Sequence, residues 1–203
     1  CGDWPNAGGE LQRMPPQPQT ERLELTDERF DRGYLLAIAP GPSAQSEDRY
    51  AATLAAQVLG ANDNSRFHWS LIEPGIAEEA QAGYQPNDGS GEFYLYASGD
   101  ADQLDKIESI IVDEAARLAE SVTEHDLARI RSRFATSFTV SGERPNDTMQ
   151  RVGRTWSLLG EYRSLDDERE RIRSVTVDSV RRVLVDGGIR PTTIGTLRPP
   201  SGA

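Results

Sequence analysis

Histidine, cysteine and clustered acidic side chains are the residues through which this chain could bind a metal or attack a substrate. It contains two histidines, His68 and His125, and one cysteine, Cys1. A catalytic zinc usually takes about three protein ligands, and neither H-x-x-E-H nor H-E-x-x-H occurs. His125 falls in the first turn of a predicted helix, and we interpret it as an exposed helix residue. His68 lies between Phe67 and Trp69, which favours packing beside the core and leaves a ligand contact open.

Motifs for nucleophiles and phosphate binding are also missing from the sequence. No G-x-S-x-G, G-x-x-x-x-G-K or G-x-G-x-x-G segment occurs. Cys1 lies in a predicted linker without an adjacent base, and a single cysteine cannot form an intrachain disulfide. The run Asp166-Asp167-Glu168, followed by alternate arginines, is typical of a helix surface whose exposed ion pairs contribute little. The chain by itself therefore carries no recognisable catalytic constellation.

The net charge of −11 restricts the partners of the chain. Phosphate backbones and anionic lipids repel such a surface, so we expect no nucleic-acid partner. No segment approaches the ~18 apolar residues of a membrane span, so none is expected. The acidity is interpreted either as a solvated surface or as a preference for basic peptides. Net charge alone does not place the carboxylates in a cleft.

Hydrophobic periodicity predicts the elements that position these residues. Alternation predicts a half-buried strand over 21–25, and an apolar run predicts a central buried strand over 33–39. Two more strands are expected over 77–85 and 92–97, with a turn at 86–89 between them, and a last strand over 190–197. Pro191 indicates that this last strand begins there or lies at an edge. Helices are predicted over 47–59, 65–72, 101–120, 124–140 and 148–159, and two more are capped by Ser164 and Thr176, the second ending at Gly187-Gly188.

This order of elements predicts an α+β fold. Strands that pair locally, with the helices on one face, give a two-layer sandwich in which helices pack against a mostly antiparallel sheet. The glycines and prolines of residues 1–20 predict an inter-domain linker. The domain is expected to span residues 21–198, and residues 199–203 are expected to form a frayed tail.

Six short segments carry a resemblance to a known family through their order and spacing. Gly2-Asp3-Trp4-Pro5 is similar to F-G-x-x-P, and Ala37-Ile38-Ala39-Pro40-Gly41-Pro42-Ser43 to a central strand with a P-G-P exit. The others are Leu59-Gly60 with Ser65-Arg66-Phe67 (L-G-G-G-x-x-S-R-L), Gly75-Ile76-Ala77 (G-L-A), 122–129 (V-T-x-x-E-L-x-R-A) and 174–180 (V-T-x-x-D-V). Together they resemble the C-terminal, non-catalytic half of the insulinase and pitrilysin-type zinc metallopeptidases, the family that includes the mitochondrial processing peptidase.

The resemblance implies that two halves of a longer protein have different roles. In this family two homologous α+β halves face each other across a chamber, and the N-terminal half carries H-x-x-E-H and zinc. The C-terminal half closes the chamber and contacts the peptide. The resemblance therefore implies no cofactor in this chain, zinc in the catalytic half, and a homologous N-terminal half or partner subunit. The alternative is a catalytically dead scaffold or assembly subunit of the same family. In either case the resemblance implies that Cys1 is an internal residue of a longer protein.

The chain departs from the family where many active members contact the peptide. Around the G-x-A-Y element those members place a tyrosine, here Glu78, and an arginine, which falls near Ile72 here. The stretch 67–71 is instead similar to a divergent bacterial subgroup. Arg66, His68, Trp69 and Glu78 are the candidates for substrate contact. The structural alternatives are core packing for Trp69 and an ion pair for Arg66.

Overall fold

The computed structural model describes residues 17, 19–186 and 189–200, and it has the predicted α+β architecture. The strands are β1 (Glu21–Thr26), β2 (Gly33–Pro40), β3 (Glu79–Asn87), β4 (Ser90–Gly99) and β5 (Thr193–Arg198). The α-helices are α1 (Arg49–Gly60), α2 (Leu104–Ser121), α3 (Glu124–Gly142), α4 (Pro145–Leu159), α5 (Leu165–Ser174) and α6 (Val177–Asp186), and a π-helical turn covers His68–Ile72. Most of the predicted linker, Cys1, the end of the tail and the predicted stop at Gly187-Gly188 lie outside the described residues.

The five strands form one sheet in the order β1-β5-β2-β4-β3. Every neighbouring pair is antiparallel except β1 and β5, which run parallel. The central position predicted for β2 is confirmed. The expectation of purely local pairing is wrong for β1, because its partner β5 comes from the other end of the domain. An edge position for β5 is also wrong, since β5 lies between β1 and β2, and Pro191 simply precedes it.

Among the described residues, helices cover only one face of the sheet. The buried side chains of β2 and β4 on that face are Leu35, Ala37, Ala39, Phe93, Leu95 and Ala97. On the opposite face, called here the helix-free face, Leu36 is 44% exposed and Tyr94 is 37% exposed. The prediction of a fully buried β2 is therefore wrong for one face. All six residues of β1 are exposed, against the half-buried prediction, because β1 lies at the edge of the sheet. Its Arg22 bonds to Glu108 of α2 at 2.7 Å.

The helices bury the faces that their periodicity predicts. The stripe of α2 is fully buried and consists of Leu104, Ile107, Ile111, Ala115 and Leu118. Helix α1 lies so close to β3 that a Cβ on Gly60 would stand 2.0 Å from the Ala82 nitrogen. Ser164 caps α5 through a reciprocal bond with Asp167, and this bond lowers the pKa of the Asp167 carboxyl. No helix in the described residues is long and apolar enough to cross a membrane.

Tyr50 of α1 joins that helix to the segment around α5. Its hydroxyl accepts hydrogen bonds from Arg49 Nη2 at 2.6 Å and from Arg163 Nη1 at 2.9 Å, and it donates to Glu168 at 3.0 Å. Burial, together with the Glu168 carboxylate, raises the pKa of the hydroxyl. The phenol therefore stays neutral and keeps the proton that it donates to Glu168.

The β3–β4 hairpin holds the end of β2 in place. Its tight turn is Asp88-Gly89, and Gly89 adopts φ +72°, a conformation that favours glycine. The segment after β2 crosses β4, where the Gly41 amide donates to the Gly91 carbonyl at 2.8 Å. A Cβ on Gly91 would stand 1.8 Å from the Pro42 oxygen. Only glycine leaves room for this crossing.

Candidate functional site

The segment between α1 and β3 carries the predicted contact residues. A π-helical turn forms here, in which the Glu73 amide donates to the His68 carbonyl at 2.8 Å across five residues. Phe67 and Leu71, four residues apart, are fully buried and fix the turn against the core. Such π-helical turns are frequent at functional sites.

Trp69 points away from the core on this turn. Its side chain is 56% exposed, so the alternative of core packing is wrong. The reason is geometric, because the inward positions are already occupied by Phe67 and Leu71. The indole contacts the His68 ring edge to face, with centroids 5.1 Å apart. A large exposed aromatic ring next to an imidazole is therefore the most prominent surface feature of the turn.

Arg66 and His68 are less exposed than Trp69. Arg66 Nη2 donates to Asp126 Oδ2 of α3 at 2.9 Å and to the Ser121 carbonyl at 3.0 Å, which confirms the structural ion pair. His68 is half-buried, and its Nδ1 has no hydrogen-bond partner among the described residues. His125 is exposed on α3, as predicted. The bonds of Arg66 and the half-buried position of His68 leave untested whether either residue contacts a substrate.

Glu78 borders a cleft at the start of β3. The cleft has a volume of about 360 Å³ and is lined by Asn62, Ile72, Glu78, Glu79, Ala80 and Gln81. The two positions at which the sequence departs from the family, Ile72 and Glu78, thus lie on the same cleft. The Glu78 carboxylate contacts Arg32 Nη2 at 2.6 Å. Sequence reasoning missed Asn62, Glu79 and Gln81. The one available signal was that Glu79 and Gln81 occupy polar positions of the predicted strand over 77–85.

The residues that the structure describes do not form a zinc site. No group of three or more histidine, cysteine, aspartate or glutamate side chains is arranged there to hold a metal ion. The two histidines belong to different elements, the π-helical turn and α3.

Comparison with known proteins identifies relatives over most of the sequence. Residues 1–134 match the family model described as the peptidase M16 inactive domain. The chain is 29% identical over 182 residues to an uncharacterized zinc protease of Streptomyces coelicolor, covering 87% of this chain and 40% of that protein. It is 25% identical over 167 residues to the uncharacterized zinc protease YmxG of Bacillus subtilis, covering 81% of this chain and 41% of that protein. The chain thus spans about two-fifths of the length of these relatives.

Solved structures share the fold at lower sequence identity. A peptidase M16 inactive domain from Pseudomonas fluorescens superposes with a TM-score of 0.82 at 18% identity, covering 95% of this chain and 47% of that one. The inactive peptidase domain from Bordetella parapertussis gives a TM-score of 0.69 at 19% identity, covering 81% of this chain and 90% of that one. These likenesses confirm the fold.

Proposed function

The chain belongs to the peptidase M16 family as an inactive domain, and we propose that it closes the chamber of a zinc peptidase and contacts the peptide there. The observation that carries the proposal is the match of residues 1–134 to the inactive-domain model, in a chain about two-fifths as long as relatives named zinc proteases. The proposed domain spans residues 21–198. Zinc, in this proposal, is held by a homologous N-terminal half or by a partner subunit.

The helix-free face of the sheet supports a partner of this kind. Helices leave Leu36 and Tyr94 exposed in its centre, and edge strand β1 adds Leu23 at 45% and Leu25 at 62% exposure. By register these four side chains lie on one face, because Leu23 pairs with Gly195, which in turn pairs with Leu36. Contiguous exposed apolar side chains are typical of surfaces that another chain or domain covers. A second half is the partner that we propose.

Substrate contact is proposed for Trp69 and Glu78 first, and then for His68 and Arg66. Trp69 and Glu78 have exposed side chains, and Glu78 borders the cleft at the start of β3. His68 would contribute its ring through the edge contact with Trp69. Arg66 would have to exchange its ion pair with Asp126, which makes it the weakest of the four.

The test is to isolate the complete assembly that contains this chain. The coding sequence before Cys1, or a neighbouring homologous gene, is expected to encode H-x-x-E-H. The purified assembly should contain stoichiometric zinc and cleave an unstructured peptide in a chelator-sensitive reaction, whereas the 203-residue chain alone should do neither. Zinc and cleavage by the isolated chain would overturn the proposal.

The alternative of an assembly subunit has its own signature in the same experiment. A stable complex between this chain and a homologous half, with neither zinc nor peptide cleavage, would favour a catalytically dead scaffold. The deciding quantity is the zinc content per assembly, measured by elemental analysis, because it does not depend on choosing a good substrate. A control with the H-x-x-E-H glutamate changed to glutamine should keep zinc and lose cleavage.

A further inference from the structure

Helix α4 turns its apolar side chains away from the rest of the domain. It contains no buried residue, and its Met149 and Trp156 are 65% and 62% exposed. Tyr162, shortly after the helix, is 63% exposed. The helix is held instead by Arg151 and Arg154, whose guanidinium groups donate to backbone carbonyls of neighbouring segments at 2.7 and 2.6 Å. An amphipathic helix normally packs its apolar stripe against the core, so this stripe is available to a partner.

The exposed apolar side chains share one face of the helix. Met149, Gly153 and Trp156 follow one another at spacings of four and three residues, and we call them the α4 face. Gly153 is exposed in its middle, and a Cβ added there meets no atom within 4 Å. By the helical period, the charged residues of α4 all lie on the opposite half of the helix, and these are Asp147, Arg151 and Arg154. The α4 face is therefore neutral in a chain with a net charge of −11.

A second copy of this chain is complementary to the α4 face. When two α4 helices pack antiparallel about Gly153, the Met149 of each copy lies opposite the Trp156 of the other. Contacts between a thioether and an aromatic ring are favourable, and a patch that complements itself is what a two-fold contact requires. Two strongly acidic copies also repel each other, and this repulsion is weakest where both present an uncharged face.

The ends of α4 carry charges that suit the same antiparallel pairing. Arg144 precedes the helix, is exposed, and forms no ion pair with any described residue. Glu161 follows the helix, and its side chain remains 48% exposed although it pairs with Arg163. Because these two charges lie at nearly equal distances from Gly153, the Arg144 of one copy comes beside the Glu161 of the other. The adjacent Glu143 is exposed as well, so the net effect is measured by exchanging Arg144 alone.

We infer that the α4 face is a self-association surface, on which a second copy of this chain packs antiparallel about Gly153. The inference goes beyond the proposed function, because the contact joins two domains, or two complete assemblies, through α4 and leaves the helix-free face to the homologous half. A single pair of helices is at the small end of protein interfaces, so we expect a Kd of roughly 1–100 μM.

The first experiment measures the mass of the 203-residue chain by analytical ultracentrifugation from about 1 to 300 μM. Trp156→Ala should raise the Kd at least about tenfold, because it removes the largest side chain of the contact. The matched control is Trp69→Ala, the same change at an exposed tryptophan on another element, which should leave the Kd unchanged. Leu36→Glu, on the helix-free face, should also leave the α4 contact intact.

The second experiment tests the antiparallel arrangement. Arg144→Glu should raise the Kd by about three- to tenfold, since the two-fold symmetry counts each exposed pair twice, and adding Glu161→Arg to the same chain should restore it. In a Cys1→Ser background, Gly153→Cys should form a disulfide between copies under mild oxidation, because the two helices cross there. Ser157→Cys, one turn along the helix, is the matched control and should form this disulfide far more slowly.

Several results would overturn the inference. They are a monomer at every concentration, equal effects of Trp156→Ala and Trp69→Ala, or self-association that Leu36→Glu abolishes and Trp156→Ala spares. Equal disulfide formation at positions 153 and 157 would contradict the antiparallel contact.

The complete assembly separates this inference from the proposed function. There Trp156→Ala should leave zinc content and peptide cleavage unchanged while converting a dimer of assemblies into single assemblies. A complete assembly that contains zinc, cleaves peptide and never dimerises would mean that the homologous half covers the α4 face. That result would refute self-association and leave the proposed function in place.

Discussion

Phe67 and Trp69 lie two residues apart, and their truncation to alanine should destabilise the chain to very different extents. Phe67 is fully buried, and truncating a buried phenylalanine to alanine costs about 3–5 kcal/mol through lost burial and the cavity left behind. Trp69 is 56% exposed, so its truncation removes much less buried apolar surface. We therefore expect Trp69→Ala to cost about 1 kcal/mol.

Thermal and urea unfolding of the 203-residue chain provide the assay. For a domain of this size each kcal/mol shifts Tm by about 2–4 °C. Phe67→Ala should therefore lower Tm by about 6–20 °C, and Trp69→Ala by no more than about 4 °C. In the complete assembly, Trp69→Ala should weaken peptide binding if the indole faces the chamber. A Tm loss from Trp69→Ala as large as that from Phe67→Ala would refute the orientation of the turn.

Three further predictions concern the scaffold. Gly91→Ala should lower the free energy of unfolding by about 1–3 kcal/mol, because the added Cβ meets the Pro42 oxygen. Gly153→Ala on α4, where the added Cβ meets no atom within 4 Å, should raise the free energy of unfolding by about 0.5–1 kcal/mol. Urea unfolding measures both changes. Tyr50→Phe should cost about 1–3 kcal/mol, because it removes a hydroxyl shared by two arginines and a carboxylate. The pKa of Asp167 is lowered in the folded chain, so its contribution is present above the ordinary value of 3.8 and is lost as pH falls through the folded value. Asp167→Asn should therefore lower Tm near pH 7, and the difference from the unchanged chain should disappear as pH falls through the folded pKa of Asp167.

Each of these predictions has an outcome that contradicts it. Equal stability of the two glycine variants would mean that the crossing over β4 is looser than described. A neutral Tyr50→Phe would mean that water replaces the hydroxyl. A Tm difference for Asp167→Asn that persists in acid would mean that the charge of the carboxylate is not what stabilises the cap.

The sequence predicted the helices well because their signals are local. Apolar spacing over 101–120 and the capping residue Ser164 involve residues within a few turns of one another, and the structure has the corresponding stripe and cap. The paired strands β3 and β4 were predicted for the same reason, since a turn rich in proline, asparagine, aspartate and glycine joins them directly. The order of short motifs also identified the family, which the inactive-domain match confirms.

Only the tertiary structure decided which side chains share a surface. The pairing of β1 with β5 joins residues more than 170 positions apart, Glu21 with Thr193, and no local pattern encodes it. Core packing was the structural alternative for Trp69 because aromatic side chains are usually buried, but Phe67 and Leu71 occupy the inward positions of the turn. The sequence by itself determined the elements, the family and the lack of a metal-binding motif. The cleft between Ile72 and Glu79 exists because a π-helical turn packs beside a strand edge, and that proximity is a property of the folded chain alone.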